Sequence, residues 1–148
     1  MPDRGTRAAM PTVTELYEQL IRGWNNHDAA AFAEPFADDG VAIGFDGSEM
    51  IGRNAIREEL ARIFADHETA PYVTKVRDVR SPAPGVEVLR ASAGMIPPGK
   101  SELEPSRNTQ QTVVAARDEI VLFQNTPAQF HGRPELVEQM TRELAASE

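Results

Sequence analysis

Residues able to do proton or metal chemistry are thinly spread along this chain. His27, His67 and His131 lie far apart, each in a predicted loop or helix end, and no two have metal-ligand spacing. A lone loop histidine is most simply a solvated side chain. Asp38-Asp39 looks like a paired-carboxylate site, but its place between a predicted helix and a strand favours capping and turn roles. Asp46, followed by Gly47, is most simply a turn former. Asp78 and Arg80 alternate with Val79 along a strand, so they face solvent or reach the rim of a pocket. There is no cysteine, hence no thiol nucleophile, disulfide or zinc knuckle, and no serine sits in a nucleophile elbow. No glycine-rich loop follows a strand in the way a dinucleotide requires. Neither a metal nor a nicotinamide cofactor is expected. What remains is hydrogen-bonding chemistry from Gln111, Gln124 and the Tyr17 hydroxyl, with Trp24 as an apolar wall; the prior reading of Tyr17 and Trp24 is core.

The elements that must position these groups follow from periodicity. Val13, Leu16, Tyr17, Leu20, Ile21 and Trp24 recur at helical spacing, after Thr12 or Thr14 as cap and before Asn25-Asn26-His27. Asp28 caps a shorter helix with Phe32 and Phe36 on its apolar side and Pro35 shortening or kinking it. Val41 to Phe45 and Glu49 to Ile51 read as a hairpin around Asp46-Gly47. Ile56, Leu60, Ile63 and Phe64 mark a third helix that ends near His67-Glu68. Tyr72 to Arg80 and Val86 to Ile96 are strands, broken by Ser81-Pro82-Ala83-Pro84-Gly85; Pro97-Pro98-Gly99-Lys100 opens a long loop. Arg107 to Ala116 and Glu119 to Thr126 form a last strand pair, and Pro134 to Ala146 is an amphipathic helix with proline at its start. The order is α+β: helix, helix, hairpin, helix, four strands, helix. Residues 1–11 read as a loose N-terminal arm and 12–148 as one domain.

Composition narrows the partners. With 23 acidic against 15 basic residues the net charge is −8, which opposes a polyanion such as nucleic acid. The apolar runs are too short to span a bilayer and the first residues lack a signal-peptide core, so the expectation is a cytoplasmic protein with no membrane partner.

The last strand pair can be registered by hand. With Arg117-Asp118 as a two-residue turn, Ala115 faces Ile120, and strict alternation puts Val113, Leu122, Gln111, Gln124, Thr109 and Thr126 on that same face. The other face carries Val114, Val121, Thr112, Phe123, Gln110 and Asn125. Both faces are apolar near the turn, so both should be covered. A register error of one residue would swap the two sets.

The element order, with Trp24-Asn25-Asn26-His27-Asp28 and Phe36-Ala37-Asp38-Asp39-Gly40, resembles the nuclear-transport-factor-2-like superfamily, whose members include SnoaL-like polyketide cyclases and ketosteroid isomerases. Phe123-Gln124-Asn125-Thr126 and Gly132-Arg133-Pro134-Glu135 are similar to the SgcJ/EcaC group, some of whose members are encoded in enediyne antibiotic clusters. The resemblance implies a cone: a strongly curved antiparallel sheet, three helices closing its concave side, a further C-terminal helix, and one cavity. It also implies a homodimer through the convex face, where Val121 and Phe123 are expected. By analogy with the isomerase, the face bearing Leu122 and Gln124 is assigned to the cavity, so Tyr17, Trp24, Gly44, Gln111, Leu122 and Gln124 are the expected ligand-binding residues. The isomerase's catalytic positions fall on Gly44, near Gln111 and on Leu20, none of which can do their work. Ala42 and Gly44 would leave room in the cavity.

Two functions follow. One is a binding protein that holds a hydrophobic polyketide or polyene intermediate of enediyne biosynthesis. The alternative is a cofactor-independent cyclase, isomerase or dehydratase, which needs a proton acceptor that amides cannot supply.

Overall fold

The computed structural model describes residues 10–147. Most of the arm expected over residues 1–11 lies outside them; of its last residues, Met10 is exposed and Pro11 half-buried.

Helix α1 (Val13–Asn25) starts at a capping box, in which the Glu15 amide donates to the Thr12 hydroxyl and the Thr12 amide to the Glu15 carboxylate. Helix α2 (Ala29–Ala33) is capped by Asp28, whose carboxylate accepts from the Ala31 amide. It ends before Pro35, and Phe36 opens a strand instead of completing the helix's apolar side. The Pro35 carbonyl already accepts the Ile120 amide at 2.8 Å, so the chain has entered the sheet there. Strands β1 (Phe36–Ile43) and β2 (Glu49–Ile51) flank the Asp46-Gly47 turn, and helix α3 (Arg53–Asp66) follows. Strand β3 (Tyr72–Ala83) runs past the expected break: as an edge strand it tolerates Pro82, and its pairing is irregular after Arg80. Strands β4 (Val86–Met95), β5 (Thr109–Ala116) and β6 (Glu119–Pro127) and helix α4 (Pro134–Ala145) complete the chain.

The six strands form one sheet in the order β2-β1-β6-β5-β4-β3, antiparallel except where β1 runs parallel to β6. Helices α1 to α3 pack on one side of it, burying Leu16, Leu20, Ile56 and Leu60 against Leu89, Val113, Ile120 and Phe123. Helix α4 sits on the opposite side with its own small core of Ala128, Met140 and Leu144. It is tied down by Thr141, which accepts from the Asn108 amide at 2.8 Å, and by an ion pair between Arg77 and Glu143. This is the expected α+β architecture of a curved, unclosed sheet with three helices inside and a fourth outside.

The β5–β6 turn is the predicted two-residue one: Arg117 and Asp118 both have positive φ (55° and 66°), the geometry that matches strand twist in a hairpin. The simple alternation beyond it fails. Ala115 pairs with Ile120 but Val114 pairs with Leu122, leaving Val121 as a β-bulge. From there the faces of β6 exchange. Phe123 and Asn125 point to the core opposite Val113 and Gln111, while Leu122 and Gln124 point outward opposite Val114 and Thr112. Gln111 is thus inside as expected, Gln124 and Leu122 are not, and Phe123 leaves the convex face for the interior.

Candidate functional site

Between the helices and the sheet lies a cavity of about 470 Å³. Its apolar walls come from α1 (Trp24), α2 (Phe32), α3 (Leu60 and Ile63), the β1–β2 hairpin (Ala42 and Met50) and β6 (Phe123). The Trp24 indole is fixed by donating its N–H to the Ala70 carbonyl at 2.7 Å and by ring contacts with Phe64 and Tyr72 at 5.5 and 5.4 Å. Ala42 and Gly44 line the space, as their small size suggested.

The polar part of the wall is Tyr72 and Asn125, and it is the end of a hydrogen-bond chain that begins in the core. The Tyr17 hydroxyl donates to Gln111 Oε1 at 2.5 Å. Gln111 Nε2 donates to Asn125 Oδ1 at 3.4 Å, and Asn125 Nδ2 donates to the Tyr72 hydroxyl at 3.0 Å. Tyr17 and Gln111 are almost fully buried, Asn125 is buried, and Tyr72 reaches the cavity. Tyr72 is itself positioned by Asn25, whose side chain accepts from its amide at 2.8 Å and donates to its carbonyl at 3.1 Å. Burial raises both phenols, since it penalises the phenolate. Tyr17 is driven far above the ordinary tyrosine range by burial and by Tyr72, against a lowering contact with Thr74. Tyr72 is pushed up to about 12 by burial, opposed by the Asn125 hydrogen bond. Both are neutral at any physiological pH.

The charged groups on the cavity wall are all carboxylates: Asp46 and Glu49 from the hairpin and Glu59 from α3. Asp46 is exposed and accepts from the Ser48 amide at 2.9 Å, and hydrogen bonds from Ser48 hold its carboxyl below the usual range. Glu59 is paired with Arg62. The three histidines lie outside this wall, each exposed. Asp38 is not a turn residue but an exposed strand residue paired with Arg53, which also donates to the Phe36 carbonyl at 2.9 Å and so fixes the start of α3. Asp78 pairs with Arg90 across β3 and β4.

Of the residues expected at the ligand, Trp24 and Gly44 line the cavity, while Tyr17 and Gln111 stand behind its wall. The bulge removes Leu122 and Gln124. Tyr72 and Asn125 are the polar groups that sequence reasoning did not place there. Asn125 would have followed from the bulge. Tyr72 carried its own signal, as the second of only two tyrosines, at the head of a predicted strand.

The sequence profile of the SnoaL-like domain matches residues 17–88, just under half of the chain. No protein of curated function matches the sequence. Among solved structures the chain is similar to a cystatin-like domain of unknown function from Nostoc punctiforme, with TM-score 0.77 and 21% identity over 97% of this chain and 96% of that one. A candidate calcium/calmodulin-dependent protein kinase type II association domain from Thiobacillus denitrificans gives TM-score 0.71 and 15% identity over 81% and 98%. A ketosteroid isomerase-like protein from Erwinia carotovora atroseptica gives 0.62 and 12% over 80% and 95%. At these identities the structures speak for the fold alone. The fold is thus the one shared by cystatin-like and ketosteroid isomerase-like structures, and the first half of the chain is similar in sequence to the SnoaL-like domain.

Proposed function

We propose that this domain binds a hydrophobic polyketide- or polyene-type molecule of secondary metabolism and holds it without transforming it. The observation that carries this reading is the cavity itself: a volume of about 470 Å³, within the range of small-molecule sites, walled by aromatic and aliphatic side chains with an amide and a neutral phenol as its buried polar groups. The sequence from Phe123 to Thr126 and the Gly132-Arg133-Pro134-Glu135 segment favour a protein of SgcJ/EcaC type, which makes an enediyne intermediate the preferred ligand. An enzyme of the same pathway would need a general base on the wall. Three carboxylates are there, but Asp46 and Glu49 stand exposed in the hairpin, the first with a lowered pKa that makes it a poorer proton acceptor, and Glu59 is paired with Arg62.

Trp24 provides the assay, because it is the only tryptophan in the chain and lines the cavity. Titration with a conjugated polyene should quench its emission saturably, and mass spectrometry should recover the polyene unchanged. Absence of saturable quenching would defeat the reading; a product of altered mass would move it to the enzyme.

A further inference from the structure

We infer that the ligand of this cavity presents a carbonyl oxygen to Tyr72, which donates a hydrogen bond to it. This deepens the binding reading and rests on it. The argument is the direction of the hydrogen-bond chain. Tyr17 spends its proton on Gln111, Gln111 spends an amide hydrogen on Asn125, and Asn125 spends one on the Tyr72 oxygen. Every link points toward the cavity. Tyr72 therefore receives a hydrogen bond, and its own proton has no acceptor among the described residues.

Accepting a bond from Asn125 polarises the Tyr72 hydroxyl and makes it a better donor, as links in such chains reinforce one another. A donor at an apolar wall has to be satisfied by what enters the cavity. Its high pKa keeps that proton in place. A hydrocarbon would leave it unused; a ketone or aldehyde oxygen conjugated to the apolar body would take it. The neighbouring carboxylates Asp46, Glu49 and Glu59 act against an anionic oxygen in the same space, which favours a neutral carbonyl over a carboxylate.

The test compares two probes of the same length, a conjugated polyene and the corresponding polyenone, by Trp24 quenching. The polyenone should bind about three- to tenfold more tightly, the range of one net hydrogen bond. Isotope-edited infrared spectroscopy of the carbonyl-labelled polyenone gives a reading that needs no variant: its stretch should fall below its value in an apolar solvent. In Tyr72→Phe the downshift should vanish, and the polyenone's affinity should drop to that of the polyene. Equal binding of the two probes to the unaltered protein, an unshifted stretch, or a shift that persists in Tyr72→Phe would overturn the inference and leave the binding reading standing. If neither probe binds, the binding reading falls and the inference with it.

Discussion

Two phenols, at either end of one chain of amides, give this molecule its buried polarity, and the cost of ionising them is the first consequence. A free tyrosine loses its proton near pH 10, while Tyr72 holds its own to about 12 and Tyr17 holds on still longer. The unfolded chain therefore releases protons that the folded one retains. The stabilisation this gives is complete below pH 10 and is lost as the pH rises through the folded values. An alkaline titration followed at 295 nm should show no tyrosinate at pH 10, where exposed tyrosine would be half ionised. Tyrosinate should then appear together with loss of the folded circular-dichroism signal. Ionisation near pH 10 in the folded protein would mean that the phenols are not enclosed as described.

At the level of elements, one bulged residue decides which side chains meet the cavity. Gln111→Leu strands the Tyr17 hydroxyl and Asn125 Oδ1 in the core, at about 1–3 kcal/mol for each buried group left without a partner, so its melting temperature should fall by several degrees or more. Gln124→Leu alters an exposed side chain and should change stability by less than about 0.5 kcal/mol and leave ligand affinity untouched. Thermal melts of the two variants separate the bulged ladder from a regular one, in which both changes would be costly. Much of the fold was legible in the sequence because it is written in local chemistry: Thr12 and Asp28 as caps, Pro134 opening a helix, Arg117-Asp118 as a two-residue turn. The bulge was not, because Ile120-Val121-Leu122 is apolar at every position and satisfies either face whichever residue is left out of the count. The same uniformity hid Asn125 and Phe123 from the cavity and misdirected Leu122 and Gln124 into it. Tyr72 and Trp24 meet only because Asn25 and the Ala70 carbonyl hold α1 against the start of β3, a long-range arrangement that no spacing records.

For the whole molecule, the outer face of the sheet sets the expected assembly. Ile51, Val41, Leu122, Val114 and Val88 are paired residue to residue across five adjacent strands, an unbroken aliphatic row on the side away from α1 to α3. We expect this row to be the centre of a homodimer contact, in the place that Phe123 was expected to fill. Light scattering should then give twice the 16.2 kDa chain mass, and Leu122→Arg should give the single mass with the fold retained. A monomer for the unaltered protein at micromolar concentration would refute it. The other end of that face is already occupied by α4, and this has an effect on β4. Ala91, Ser92, Ala93 and Gly94 are buried in succession, two facing the large core and two the side where α4 lies, with Gly94 against Leu144 and Leu103. β4 is thus the wall common to two cores of unequal size. Helix α4 rests on the smaller one, so its local unfolding should cost less than opening the sheet, and hydrogen exchange should find the β4 amides the slowest, because both cores must come apart to release them.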